Sequence, residues 1–338
     1  MRQVWIPRIG GPEVLTVREL PDPEPAAGEL RVRVRNCGVN FADVLARLGL
    51  YPDAPPLPAV VGYEVAGEVD ALGEGTTGFA LGQRVIAMTR FGGYTDVVCV
   101  PTGQVVAMPE RLSFEQAAAI PVNYLTAWLM LIELGALAEH HTVLVHAAAG
   151  GVGQAALQIC RTRGAKVIAS ASVAKHDRLR EQGVHACIDS RADNLVEAVR
   201  GLTDGRGVDI VLDAIGGRSF RDGYALLAPL GRMFMFGVSS FAPGKTRSLV
   251  AAVRGVLTMP RFGSIRLMND NRGVFGVNLG HLWNETAFLQ RALGRIIAHC
   301  ESGEFVPTVD RSFPFDQAGD AHAHLQGRGS FGKVLLHP

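Results

Sequence analysis

The hydrophobic pattern of this chain changes rhythm once. Up to about residue 122, apolar and polar positions alternate in short runs. In Glu29-Leu-Arg-Val-Arg-Val-Arg35, Leu30, Val32 and Val34 alternate with charged neighbours, as a half-buried strand requires. Shorter stretches at 65–69, 84–88 and 93–100 lie between glycine or proline turns. This spacing predicts a compact β-rich, barrel-like domain over 1–122. From residue 123, strand-length apolar runs at 142–146, 166–170, 186–189, 208–213, 232–238 and 274–279 alternate with helix-like stretches. The short intervals imply βαβ units, hence a parallel sheet covered on both faces. Six strands complete a doubly wound α/β fold over 123–279. Residues 280–338 carry a long amphipathic helix and end in Gly332-Lys-Val-Leu-Leu336, a strand expected to rejoin the first domain. A substrate cleft is expected between the domains, at the carboxyl ends of the parallel strands.

The run His146-Ala-Ala-Ala-Gly150-Gly-Val-Gly-Gln154-Ala-Ala156 follows the first of these strands. Gly151, Gly153 and Ala156 fit the G-x-G-x-x-[G/A] spacing of a dinucleotide turn. Gly151 would permit the tight turn, Gly153 a close approach to the phosphates, and Ala156 close packing of helix on strand. The helix N-terminus then offers free N–H groups and a positive dipole end to a pyrophosphate. Gly150, Gly151, Val152 and Gly153 are therefore the expected cofactor contacts.

An NAD site usually places an acid about twenty residues beyond the glycines. Here the second strand ends in Ile168-Ala-Ser-Ala-Ser172 without one, and Lys175, His176 and Arg178 follow. An uncharged pocket beside an ammonium suits a 2′-phosphate, so the pattern favours NADPH, with Ser170 and Lys175 as contacts. The plainer alternative is that Ser172 caps the next helix and Lys175 lies on its solvated face.

Composition narrows the remaining choices. The chain has 338 residues, 48% of them hydrophobic and 19% charged, with a net charge of +1. That is enough apolar material for two cores, and it gives no global reason to expect a nucleic-acid partner. The five cysteines are scattered without a C-x-x-C pair, which argues against a disulfide framework or a thiolate zinc site. No signal-like opening or membrane-length apolar run is evident, and a reducing cytoplasm is the expected setting.

The whole chain resembles the medium-chain dehydrogenase/reductase superfamily, and within it the zinc-independent quinone oxidoreductase branch. The resemblance rests on Asn40-Phe-Ala-Asp43, Arg47 with Gly49 and Tyr51, Gly62-Tyr-Glu64 and Ala148-Ala-Gly-Gly-Val-Gly153. Lys175-His176, Gly276-Val-Asn-Leu-Gly280 and the Gly332-Lys-Val-Leu-Leu336 ending are similar to the subgroup of vertebrate synaptic-vesicle membrane protein homologues. The resemblance implies a GroES-like catalytic domain joined to a Rossmann domain. Zinc-dependent relatives carry C-G-V-C and G-H-E; this chain has Cys37-Gly-Val-Asn40 and Gly62-Tyr63-Glu64. An amide and a phenol are poor zinc ligands beside thiolate and imidazole, so no metal is expected. The implied activity is NADPH-dependent hydride transfer to a quinone or an α,β-unsaturated carbonyl.

By the same resemblance Asn40, Asp43, Tyr51 and Tyr63 are the candidate catalytic residues, with Arg47 a weaker one. Each also has an ordinary structural reading: Asn40 and Asp43 form an N-cap pair, and Tyr51 and Tyr63 are packing aromatics. Asn123, Thr126, Gly237, Phe275 and Val277 are placed near the nicotinamide end, and Lys333 at the cofactor phosphates. Asn123 and Thr126 equally suit a helix entry, and Lys333 a surface position. Ser190 stands where quinone reductases often carry a tyrosine beside the 2′-phosphate. A homodimer through the sixth strand is the implied assembly. The basic, apolar segment 244–273 is expected to form a lid with its arginines outward, interrupted at Pro260 and Gly263; the alternative is a membrane-surface element.

Overall fold

The computed structural model describes residues 1–191 and 194–338. Two compact units emerge. The first comprises Met1–Leu125, Gly244–Arg247 and Leu279–Pro338, and the second Thr126–Pro243 and Ser248–Asn278. The segment Leu279–Pro338 thus groups with the first unit. The brief return at Gly244–Arg247 has no counterpart in the sequence pattern.

The first unit is built on the long strand Glu29–Val39. Its alternation is real: Leu30, Val32 and Val34 are buried while Arg33 and Arg35 are exposed. Each such apolar side chain is worth about 1.5–3 kcal/mol on burial. The strand pairs antiparallel with Glu64–Leu72, Val97–Pro101 and Lys333–His337. Arg84–Met88, Val105–Ala107 and Val309–Pro314 complete a seven-stranded sheet. In the pairing of the last strand, Val334 faces Val39, Leu335 faces Gly38 and Leu336 faces Cys37. That register brings Lys333 to Asn40 across nearly the whole length of the chain.

The second unit holds a parallel six-stranded sheet. We number its strands β1 (Thr142–His146), β2 (Lys166–Ala171), β3 (Ala186–Asp189), β4 (Val208–Asp213), β5 (Leu227–Met235) and β6 (Gly273–Gly276). Their spatial order is 3-2-1-4-5-6, the doubly wound arrangement whose direction reverses between β1 and β4. Strand β5 starts earlier and stops sooner than its apolar run predicts. Beyond Met235 the chain leaves the ladder, and the Ser239 and Ser240 amides bond to the carbonyls of Ala214 and Ile215.

Segment 244–273 contains two helices, Leu249–Thr258 and Ser264–Asp270, separated around Pro260 and Gly263. Most of their apolar side chains are not turned inward as expected, although Leu267 packs against the core of the second unit. Val250 is 80% and Leu257 78% exposed, and Leu249, Val253, Val256, Ile265 and Met268 are also exposed. Among the described residues, no helix is long and apolar enough to cross a membrane.

Candidate functional site

In the second unit, β1 runs into the glycine turn and then into the helix Gly151–Thr162, with Gly150 at the N-cap. Several bonds fix the turn. The Gly150 amide donates to the Ala147 carbonyl at 2.8 Å, and the Ala148 amide to Ser170 at the end of β2 at 3.1 Å. The Gln154 side-chain amide donates to the Ala148 carbonyl at 3.2 Å. The left-handed residue of the turn is Ala147, at φ 51°, rather than Gly151. Gly153 is glycine for a reason the spacing did not reveal. A Cβ there would lie 2.5 Å from the Ala148 oxygen and 2.6 Å from the Ala147 oxygen. The helix therefore starts hard against its own entry loop, with its free N–H groups at the switch point. This cradle fits a dinucleotide pyrophosphate.

The switch point has a further polar pair. His146 ends β1 and Asp213 ends β4, with Nε2 and Oδ2 4.0 Å apart. Asp213 accepts from the Ile215 amide at 2.7 Å and the Ser219 hydroxyl at 2.6 Å, so it shapes the turn after β4. Ser170 is buried, Lys175 half-buried and Ser190 exposed. Ser172 stands at the N-cap position of the short turn Val173–Lys175 but makes no side-chain cap bond, and Lys175 holds the N-cap position of the helix His176–Glu181 that follows. Gly237 and Val277 line a cavity of about 290 Å³ with Phe220, Met235, Met259 and Phe262. Phe275 stacks on Phe234, with ring centroids 5.1 Å apart, so part of that residue's work is packing. Thr126 is buried in the helix Pro121–Trp128.

In the first unit, the register of the last strand assembles a buried polar cluster. Lys333 is 2% exposed and pairs with Glu64, which is fully buried. This excludes the surface reading of Lys333. Its Nζ also donates to Asn40 Oδ1 at 2.6 Å, while Asn40 Nδ2 donates to Glu64 Oε1 at 3.0 Å. The other Glu64 oxygen accepts the Val122 amide at 2.7 Å. A Cβ on Gly38 would strike the Glu64 carboxylate, so that glycine is required here. Asn123 lies in the first turn of its helix and donates back to the Ala119 carbonyl at 3.0 Å.

Asn40 and Asp43 do stand at the N-cap and N3 positions of the helix Phe41–Arg47. Asp43 is wholly buried, and burial pushes its carboxyl up to about 7 against the bonds that favour its ionised form. Tyr63 is buried and tilted against Phe91, centroids 5.3 Å apart. Burial first, then the neighbouring Asp43 and Tyr51, push its phenol well above the ordinary range, so it stays protonated. Tyr51 packs on the edge of the core. Burial likewise pushes the Cys37 thiol up, leaving it inert. Tyr94, bonded to Asp43, and His322, bonded in turn to Tyr94, were not legible beforehand: their partners lie up to 228 residues away.

A zinc ion does not fit this donor set. Asn40 presents an amide already engaged by Lys333 and Glu64, and Tyr63 a protonated phenol. Among the described residues, no group of three His, Cys, Asp or Glu side chains is placed to hold a metal.

Known proteins agree with this architecture. The family model of the alcohol dehydrogenase GroES-like domain matches residues 26–110, and that of zinc-binding dehydrogenase matches 151–290. The synaptic vesicle membrane protein VAT-1 homolog of Rattus norvegicus is 39% identical over 341 residues, covering 100% of this chain and 84% of the relative. The crystal structure of human synaptic vesicle membrane protein VAT-1 homolog-like protein superposes with a TM-score of 0.87 at 32% identity, covering 100% of this chain and 98% of the other. Escherichia coli quinone oxidoreductase, solved in complex with NADPH, gives a TM-score of 0.87 at 29% identity and covers 100% of both chains. With its GroES-like and doubly wound units in that order, the chain is an oxidoreductase and belongs to the medium-chain dehydrogenase/reductase family.

Proposed function

We propose that the protein is an NADPH-dependent, zinc-independent reductase of quinones or α,β-unsaturated carbonyls. The observation that carries this reading is the occupation of the lost ligand places: Asn40 is locked to Glu64 and Lys333, and Tyr63 is a buried neutral phenol. Such a site offers hydrogen-bond donors rather than a Lewis acid. Donors suffice where charge develops on the carbonyl oxygen of an activated acceptor. They are a poor substitute for a metal in forming an alkoxide from a simple alcohol.

NADPH, when bound, supplies the hydride. Gly150, Gly151, Val152 and Gly153 hold its pyrophosphate, Ser170, Lys175 and Ser190 its 2′-phosphate end, and Asn123, Thr126, Gly237, Phe275 and Val277 its nicotinamide end. Tyr63 and Tyr51 are assigned as donors to the acceptor's carbonyl oxygen, and Asn40 and Asp43 hold that donor surface in place. The cavity beside Gly237 has only apolar side chains in its wall, which suits an apolar ring or chain and disfavours a charged acceptor.

The test is an acceptor screen without added metal. Steady NADPH oxidation is expected with quinones and enones, and none of comparable rate with simple alcohols and NADP. Within the same screen, Lys175→Glu is expected to raise the KM for NADPH about tenfold, the worth of one charge-assisted bond, and to leave NADH unaffected. A chain that binds NADPH yet turns over no acceptor overturns the reading.

One observation favours a second reading, a membrane-associated role. The outward apolar side chains of Leu249–Thr258 alternate along the sequence with Arg247, Arg254, Arg261 and Arg266, the make-up of an interfacial element. It predicts co-sedimentation with anionic liposomes that is lost when Arg254, Arg261 and Arg266 are all replaced by glutamine. Equal recovery of both forms in the supernatant removes this reading.

A further inference from the structure

One buried carboxylate ties together the two stretches that carry the candidate donors. Asp43 Oδ2 accepts the Asn40 amide at 2.7 Å, and Oδ1 accepts the Gly62 amide, next to Tyr63, at 3.1 Å. The Tyr94 hydroxyl is a third partner, 3.0 Å from Oδ2. Three incoming bonds favour the acceptor-only, ionised carboxylate. Burial works against that state.

Beyond Tyr94 the chain of contacts continues. Its hydroxyl oxygen lies 3.0 Å from Nε2 of His322, which is fully buried. Among the described residues, His322 Nδ1 has no partner, and neither do Nε and Nη1 of Arg47, also fully buried. Arg47 Nη2 donates to Gln326 Oε1 at 2.5 Å. Gln326 follows His322 by one turn of the helix Ala318–Gln326, on the same face. Arg47 is thus bonded to the helix that carries His322, and its charge is felt at the imidazole. Burial, and secondarily the Arg47 charge, hold that imidazole down at about 3, so it stays neutral.

A neutral imidazole allows two proton arrangements. In one, His322 carries its proton on Nε2 and donates to the Tyr94 oxygen, and Tyr94 donates to an ionised Asp43. In the other, a protonated Asp43 donates to Tyr94, Tyr94 donates to Nε2, and Nδ1 carries the proton. The second leaves the ring's unpartnered nitrogen as an N–H in the field of the Arg47 charge. The first leaves it as a lone pair, which that charge favours.

We infer that Arg47, acting through His322 and Tyr94, holds Asp43 as a three-bond acceptor and so positions Asn40 and Tyr63. Arg47, Tyr94 and His322 are positioning residues, and their link to turnover rests on the function proposed above. The charged and titratable groups facing Asp43 are Lys333, Cys37, Tyr63 and Tyr94; Arg47 faces His322, and Glu13 faces Arg47.

The test compares wild type with Tyr94→Phe and Arg47→Met, and uses Arg47→Lys as the charge-conserving rescue. The first readout is thermal unfolding against pH without cofactor. Asp43 sits above its unfolded value, so the stability it contributes at low pH is lost as pH rises from about 4 through about 7. His322, held at about 3, has the opposite slope below 6.5, so the comparison is made between pH 6.5 and 9. The falling limb is expected to move up by about one pH unit in Tyr94→Phe and Arg47→Met, and to return in Arg47→Lys. The second readout is the acid limb of kcat for NADPH oxidation, which should move in the same direction and order. Equal losses at every pH with unmoved midpoints overturn the relay. Should Arg47→Met not fold, Tyr94→Phe decides alone. Absence of turnover in wild type defeats the proposed function only, since the unfolding profile still reads the relay.

Discussion

Gly153→Val is expected to weaken NADPH binding by about a hundredfold or more. The obstacle is backbone, not side chain. A Cβ at this position would meet the Ala148 oxygen at 2.5 Å and the Ala147 oxygen at 2.6 Å, and neither can rotate away. Ala147 already occupies the left-handed region at φ 51°, so the loop has little conformational slack. Either the loop or the helix start must move, and together they present the N–H groups on which a pyrophosphate would rest. Overpacking of this kind costs about 1–3 kcal/mol or more, and each 1.4 kcal/mol is a factor of ten in affinity. Fluorescence titration with NADPH measures the loss, and a melting curve shows whether the fold survives. Gly201→Ala is the control. It lies in the helix Leu195–Leu202 with open space around it and should slightly raise stability. Unchanged NADPH affinity in a folded Gly153→Val protein would remove the glycine turn from the cofactor site.

Much of this architecture was legible because burial leaves a local trace. Five of the six parallel strands are apolar runs that start or end within about two residues of their expected bounds. The end of β5 was not legible, because Phe236 and Val238 stay apolar after the chain has left the ladder. In the glycine turn, the residue types were visible but their causes were not. The positive φ falls on Ala147, and the missing side chain of Gly153 answers to two carbonyls in its own loop. In segment 244–273, Pro260 and Gly263 marked the break between the two helices. Periodicity could not say which face would pack, since an apolar stripe reads the same inward or outward. The polar cluster of the first unit was the least legible part. Asn40 and Asp43 announced a helix start, but their partners Glu64, Tyr94 and Lys333, and His322 beyond Tyr94, are brought in by strand register and by helix packing over 24 to 293 residues. Long-range register has no local signature.

Lys333→Met is expected to destabilise the first unit by about 3–5 kcal/mol, as removal of one partner from a buried ion pair does. Lys333 and Glu64 are 2% and 0% exposed, so neither charge has water to fall back on. Without the ammonium, Glu64 keeps only the Asn40 amide and the Val122 N–H. Asn40 Oδ1 loses its donor as well. Such a loss is a large share of the total stability of an ordinary domain, and it should appear as a clear fall in Tm. Glu64→Gln should act similarly by stranding the ammonium. The double variant should be less damaged than the sum of the two, with a coupling of about 1–3 kcal/mol. The outcome separates two roles for Lys333. If its work is to bind cofactor phosphates, Lys333→Met will keep its Tm and lose NADPH affinity, and Glu64→Gln will not couple to it. If its work is to hold Asn40 and Glu64 together, stability and coupling will move first. Turnover will then fall through kcat, because the Asn40 segment is no longer held, while the KM for NADPH changes little.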